Sequence, residues 1–227
     1  MRIGLIVAMD KELTQLSQLI NNRQEVPGGP YMFITGRVGM HDVIIMKCGI
    51  GKVNSTAGAV EMINRFMPEV IISTGCAGGA RHNMEVGDVV VSSQCTYHDV
   101  YCGEDVRYGQ FVGMPPAYDA DRGLLDRAMR LQGNKRIHSG LIVSGDWFVN
   151  SREKMGYILD RFPEAIAVDM ESCSIAQVCF IYRVPFISFR VISDVPLSDN
   201  KAQQYYDFWD RMANGSFEVT RTFLNQL

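Results

Sequence analysis

Short runs of consecutive apolar residues alternate along this chain with segments whose apolar positions recur every three or four residues. Ile3 to Met9 is a continuous apolar run, the pattern of a strand buried on both faces. Asp10 follows as a candidate N-cap, and Leu13, Leu16 and Leu19-Ile20 recur at helical spacing. Asn21-Asn22 and Pro27-Gly28-Gly29-Pro30 predict the turn that ends this unit. Tyr31 to Val38 and Asp42 to Lys47 read as strands joined at Gly39-Met40. A helix is predicted from Asn54 to Phe66, with Ala57, Val60 and Ile63 inward and Pro68 as its stop. Val70 to Ser73 reads as a buried strand that closes on a Gly-rich loop, Thr74 to Gly79, and Val86 to Tyr97 holds a further strand.

Residues 100–120 carry Gly103, Gly109, Gly113, Pro115 and Pro116 and read as a long loop, a feature usually kept for function. Gly123 to Leu131 predicts a short helix, Ser139 to Ser144 a strand, and Ser151 to Phe162 and Met170 to Tyr182 helices. Phe186 to Ser193 is another buried strand. A last helix is expected from Tyr205 to Leu227, with Trp209, Met212, Ala213, Phe217, Thr220 and Leu224 as its stripe and Gly215 as a kink. This order predicts one α/β domain over residues 1–227, with a mixed, mainly parallel central sheet flanked by helices on both faces. Ligands in such sheets bind beyond the carboxyl ends of the strands, so the residues that follow each strand are the ones to inspect.

Composition removes several classes of function. The formal charge is -3, and the longest basic cluster is Asn134-Lys135-Arg136, read as a solvated turn, so a nucleic-acid partner has no footprint. The six cysteines include no C-x-x-C pair, which leaves a zinc site or redox pair unsupported. There is no apolar run of about 18–20 residues to span a bilayer and no signal-peptide pattern, and a reducing cytoplasm is the simplest location. Gly49-Ile50-Gly51-Lys52 lacks the spacing and the Ser/Thr of a phosphate loop. His98-Asp99 comes without a G-x-S-x-G elbow and reads as structural or interfacial.

The strand ends are chemically loaded. They carry Ala8-Met9-Asp10-Lys11-Glu12, Ser73 to Gly79, Val168-Asp169-Met170-Glu171-Ser172 and Arg190-Val191-Ile192-Ser193-Asp194. With Gly49 to Val53, Tyr97-His98-Asp99, Tyr108-Gly109-Gln110 and Ser144 to Asn150, this ordered set resembles the methylthioadenosine/S-adenosylhomocysteine nucleosidases of the purine nucleoside phosphorylase superfamily over nearly the whole chain. The resemblance implies hydrolysis of the N-glycosidic bond of those two nucleosides, releasing adenine and a thioribose, in methionine salvage. It implies a small-molecule nucleoside substrate, a homodimer, and neither a metal nor an organic cofactor.

The same resemblance assigns the residues. Glu12 becomes the general base for water and Asp194 the general acid at the purine N7, with Ser193 holding Asp194. Glu171 accepts the ribose hydroxyls and Met170 packs beneath the ribose. Arg190, late in an apolar strand, needs a buried partner, with Glu171 the expected one, and either touches the ribose or positions that glutamate. Phe148 and Val149 stack on and edge the base. Cys76 stands where serine is common, against the ligand or Asp194. Met9, Ile50 and one of Tyr205 or Tyr206 line the 5′ pocket. Relatives place a phenylalanine from the 100–107 region in the neighbouring subunit's site; here only Tyr101 could serve. The chemistry suits these residue types, because cleavage puts positive charge on the ribose and needs a deprotonated water and a protonated leaving base. Three other readings stay open: a phosphorylase, a hydrolase of another purine nucleoside such as aminodeoxyfutalosine, and a non-catalytic nucleoside-binding protein. Asp10 and Glu12 would repel phosphate, and binding alone would not need Glu12 together with Asp194.

Overall fold

A computed structural model describes residues 1–131, 136–197, 201–209 and 217–227. In chain order the elements are β1 (Arg2–Val7), α1 (Asp10–Ser17), β2 (Asn21–Gly28), β3 (Tyr31–Val38), β4 (His41–Lys47), α2 (Lys52–Phe66), β5 (Val70–Gly79), β6 (Val89–Tyr97), β7 (Tyr118–Asp119), α3 (Arg122–Ala128), β8 (Ile137–Ser144), α4 (Arg152–Leu159), β9 (Ala165–Asp169), α5 (Ser172–Tyr182), β10 (Phe186–Asp194), α6 (Lys201–Asp207) and α7 (Glu218–Gln226).

The central strands alternate in what they bury. Ile3, Leu5 and Val7 of β1, Val70 and Ile72 of β5, and Ile187, Phe189 and Val191 of β10 enter one apolar layer, with Leu16 of α1, Leu124 of α3 and Phe223 and Leu224 of α7. Ile6, Ile71, Phe186 and Ile192 face the other, with Met62 and Ile63 of α2 and Ile175 and Val178 of α5. Side chains two apart share a face, so continuous apolar runs fill two layers at once, which is the mixed sheet covered on both sides.

The sheet also closes on itself. β4, β1, β5 and β10 run parallel in sequence across the sheet. Beyond them β10 pairs with β6, β6 with β8 and β8 with β9. β9 returns to β5 through Gly78↔Val168 and Gly79↔Ala167. This ring gathers the carboxyl ends of β5, β8, β9 and β10 around one opening.

Several local expectations change. The Gly-rich segment 74–79 is strand, not loop, because it pairs with both β10 and β9. A Cβ on Gly78 would meet Val168 Cγ1 at 3.1 Å, so glycine permits that double pairing. Asn21 to Gly28 forms an edge strand paired to β3, and only Gly29-Pro30 remains as its turn. Its polar residues gave no apolar signal, since an edge strand needs none. Ala165 to Asp169 is likewise a strand, only five residues long. Asp10 is the first helical residue of α1 and the N-cap is Met9. Ala57 faces outward, and α2 buries Ser55, Gly58, Ala59, Met62 and Ile63 instead. The last helix is two helices, α6 and α7; Met212, Ala213 and the Gly215 kink lie outside the described residues, as do Asn134 and Lys135 of the basic cluster.

Candidate active site

A cavity of about 620 Å³, counted to its open mouth, sits at the carboxyl ends of the strands. Glu12, Glu171, Asp194, Met170, Phe148, Val149, Cys76, Ser193, Met9, Ile50 and Tyr205 all line it. Two residues of the sequence-derived set do not. Tyr206 is 65 % exposed, whereas Tyr205 turns inward and meets the Phe148 ring edge-on at 5.8 Å. Arg190 lies behind the wall, 1 % exposed. Trp147, Asp169, Val168, Ala8, Ala77 and Gly78 complete the lining; all six lie in the segments that carry the resemblance, but sequence assigns none of them a ligand role. Asp169 and Ala8 flank nominated residues; Trp147 gave no separate signal.

Glu12 is held by backbone alone. Its Oε2 accepts the N–H groups of Ala8 and Met9 at 2.9 and 3.0 Å, and its Oε1 that of Cys76 at 3.0 Å. The first two come from the turn between β1 and α1, the third from β5, so the carboxylate bridges two parallel strand ends. A Cβ on Gly75 would lie 2.5 Å from Glu12 Oε1 and 2.6 Å from Arg190 Nη1, so glycine is required where these two groups approach the strand. Burial pushes the Glu12 pKa above the ordinary carboxylate value, against the opposing pull of Arg190 and the three amides.

Glu171 Oε1 accepts the Gly51 N–H at 3.0 Å, at the N-terminal end of α2. Burial first, and then the Asp169 charge, push its pKa up to about 7. Asp194 is 3 % exposed, and Ser193 Oγ donates to its Oδ1 at 2.8 Å. Burial raises the Cys76 thiol well above its ordinary value, followed by the Glu12 charge; the side chain faces the cavity as a neutral S–H group.

The ion pair expected between Arg190 and Glu171 is instead made with Asp169, whose Oδ2 lies 2.7 Å from Arg190 Nε. Ser172 Oγ accepts from Arg190 Nε and Nη2 at 3.0 and 2.9 Å, and Ser73 Oγ accepts from Nη2 at 2.8 Å. Asp169 Oδ1 takes the amides of Glu171 and Ser172 at 3.4 and 3.2 Å, which anchors the turn into α5, whose N-cap is Glu171. Burial opposes the guanidinium charge, but Asp169, Glu171 and Glu12 together raise its pKa. Arg190 is thus the cation that allows several carboxylates to share a dry site. Both partners are 1 % exposed, so Arg190→Met, which strands Asp169, is expected to cost about 3–5 kcal/mol of stability, read by denaturant unfolding.

His98 is fully buried, neither ring nitrogen has a hydrogen-bond partner, and burial lowers its pKa. It packs 5.4 Å from the Trp147 ring, behind the cavity wall. No cluster of His, Cys, Asp and Glu among the described residues has the geometry to hold a metal ion.

The family model of the phosphorylase superfamily matches residues 2–225 of this chain, the whole of the strand ring and its acid-lined pocket. A 5′-methylthioadenosine/S-adenosylhomocysteine nucleosidase of Desulfotalea psychrophila is 37 % identical over 230 residues, covering 100 % of this chain and 98 % of the relative. One from an Exiguobacterium species is 41 % identical over 211 residues, covering 91 % and 90 %. The S. pneumoniae nucleosidase solved with the transition-state inhibitor MT-ImmA superposes with a TM-score of 0.93 at 31 % identity, covering 100 % and 99 %. That of Colwellia psychrerythraea with adenine gives 0.93 at 31 %, covering 100 % and 96 %. The chain belongs to this superfamily, in its 5′-methylthioadenosine/S-adenosylhomocysteine nucleosidase family.

Proposed function

We infer that the chain hydrolyses the N-glycosidic bond of 5′-methylthioadenosine and S-adenosylhomocysteine, releasing adenine and the 5-thioribose product. The observation that carries this is the convergence of Glu12, Glu171 and Asp194 on one cavity. Glu12 takes a proton from water, whose oxygen bonds to the anomeric carbon as the bond to purine N9 breaks. Asp194 delivers a proton to N7, so the base leaves neutral. Glu171 accepts the ribose hydroxyls and stabilises the cationic sugar, with Met170 beneath it. Phe148 and Val149 take the base, Cys76 and Ser193 sit beside its proton donor, and Met9, Ile50 and Tyr205 receive the 5′ group. Arg190 supports Glu12 and the ribose grip from behind, and no cofactor enters the scheme.

A hydrolase is favoured over a phosphorylase by the lining. Among the described residues no Lys or Arg lines the cavity, and two amides at the start of α2 that could receive a phosphate already serve the carboxylates Glu171 and Asp146. The test is adenine release from methylthioadenosine in phosphate-free buffer. Undiminished release supports hydrolysis, and an absolute phosphate requirement overturns it.

The acid side of the pH profile follows from Glu12, and Glu171, with its pKa pushed up to about 7, adds a loss of its own as it is protonated. A general base works ionised, so activity is present above its pKa and lost below it. The upward shift places the acid limb of kcat/KM above the ordinary glutamate value of 4.5. A limb at or below 4.5 removes Glu12 from the role.

The reading includes a cytoplasmic homodimer in methionine salvage. All six cysteines are free, as a reducing compartment requires. No described helix is long and apolar enough to cross a membrane. For the dimer, exposed Val53 and Val112 border an apolar groove beside Phe111 and Met114, and Tyr101, 63 % exposed, stacks on Tyr108 without reaching its own chain's cavity.

A further inference from the structure

Outside the cavity lining, Lys52, Asp99 and Asp146 join the end of β6 to two segments that carry its walls. Asp99 Oδ2, just past the end of β6, accepts from Lys52 Nζ and from the Asp146 N–H, each at 2.8 Å. Asp146 Oδ1 accepts the Lys52 backbone N–H at 2.8 Å. The preceding amide, that of Gly51, is the donor to Glu171 Oε1. One carboxylate therefore ties the start of α2, which holds Glu171, to the segment after β8, which presents Trp147, Phe148 and Val149.

The joint is tight and largely shielded. The Asp99 and Lys52 side chains are 8 % and 25 % exposed, so the ion pair is stronger than a surface pair. A Cβ on Gly145 would lie 2.7 Å from Asp99 Cγ, and one on Gly51 2.9 Å from Asp146 Oδ1, which leaves no slack between the segments. Residues 147–150 have no regular secondary structure. Their register therefore depends on anchors: Asp146 fixes their start, and Lys154 Nζ holds the Phe148 carbonyl and Asn150 Oδ1 at 3.4 and 3.1 Å.

We propose that Asp99 and Lys52 are positioning residues for the hydrolysis, clamping the base-binding segment against the helix end that holds the ribose glutamate. Neither lines the cavity, so they act through Phe148 and Glu171, and the inference rests on the roles given to those two above. Glu12 and Asp194 are held by other contacts, at the Ala8, Met9 and Cys76 amides and at Ser193. Loosening the clamp therefore weakens substrate binding more than the chemical step.

The experiment is steady-state cleavage of methylthioadenosine by the wild type, Asp99→Ala, Asp99→Asn, Lys52→Met and Lys52→Arg, each also combined with Phe148→Ala. Loss of a buried hydrogen bond to a charged group corresponds to a rise in KM of about tenfold or more for Asp99→Ala and Lys52→Met. Expected kcat values stay within about threefold of wild type, and Lys52→Arg recovers most of the loss. Once Phe148 is gone, Asp99→Ala should raise KM by less than it does alone, because part of its effect passes through that ring. Unchanged KM in both single variants overturns the inference, as does full additivity with Phe148→Ala. Should Asp99→Ala not fold, Asp99→Asn and Lys52→Met decide the matter by the same criteria. A wild type that releases no adenine brings down the underlying reading as well, which separates the two failures.

Discussion

The Glu12→Gln variant is expected to lose about two to four orders of magnitude in kcat, with its fold retained. Three backbone donors face the two carboxylate oxygens, two on Oε2 and one on Oε1. An amide has only one acceptor oxygen, so whichever way it turns, its NH2 meets at least one N–H. That mismatch costs about 1–3 kcal/mol. Removing a fully buried carboxylate with a raised pKa offsets part of the cost. The protein should therefore unfold at a slightly altered temperature but remain native at assay temperature, and a glutamine cannot accept the proton of the attacking water. Activity within tenfold of wild type in a folded Glu12→Gln protein would exclude Glu12 as the base.

Asp194→Asn is expected to cost a comparable two to four orders of magnitude in kcat, at about unchanged substrate affinity. Asparagine keeps the shape and can still accept from Ser193 Oγ, yet it has no proton to give to N7. A leaving group that departs without protonation distinguishes this role from mere packing. A nitrophenyl riboside with the same 5′ group should be cleaved by Asp194→Asn at close to the wild-type rate. Equal losses on both substrates would show that Asp194 supports the site by some means other than acid catalysis.

Much of this was legible in the sequence for physical reasons. Strands buried on both faces show as mainly apolar runs, so β1, β4 and β10 could be read within a few residues, as could the half-exposed β3. The carboxylates proposed for the reaction stand at strand ends or a few residues past them, where an α/β sheet exposes its rim. Three features were hidden. β2 is polar and β9 is five residues long, too little for periodicity to register. The glycines of β5 read as loop because the ring closure that pairs them involves residues 88 and more positions away. The partner of Arg190 was assigned to Glu171 rather than Asp169 because two carboxylates lie two residues apart, and only the strand-to-helix turn decides which points inward. Tyr205 and Tyr206 posed the same problem. Adjacent residues on a helix diverge by about 100°, and orientation in space, not sequence, puts Tyr205 in the cavity.

The central claim is that three carboxylates distant along the chain surround one sugar. A crystal structure of this protein with a cationic ribose mimic bearing a purine and a 5′-methylthio group tests it most directly. The account predicts Glu171 on the sugar hydroxyls, an ordered water between Glu12 and the anomeric position, and Asp194 within hydrogen-bond distance of N7. An inhibitor whose sugar lies away from Glu12 and Glu171, or whose base turns N7 from Asp194, would contradict it.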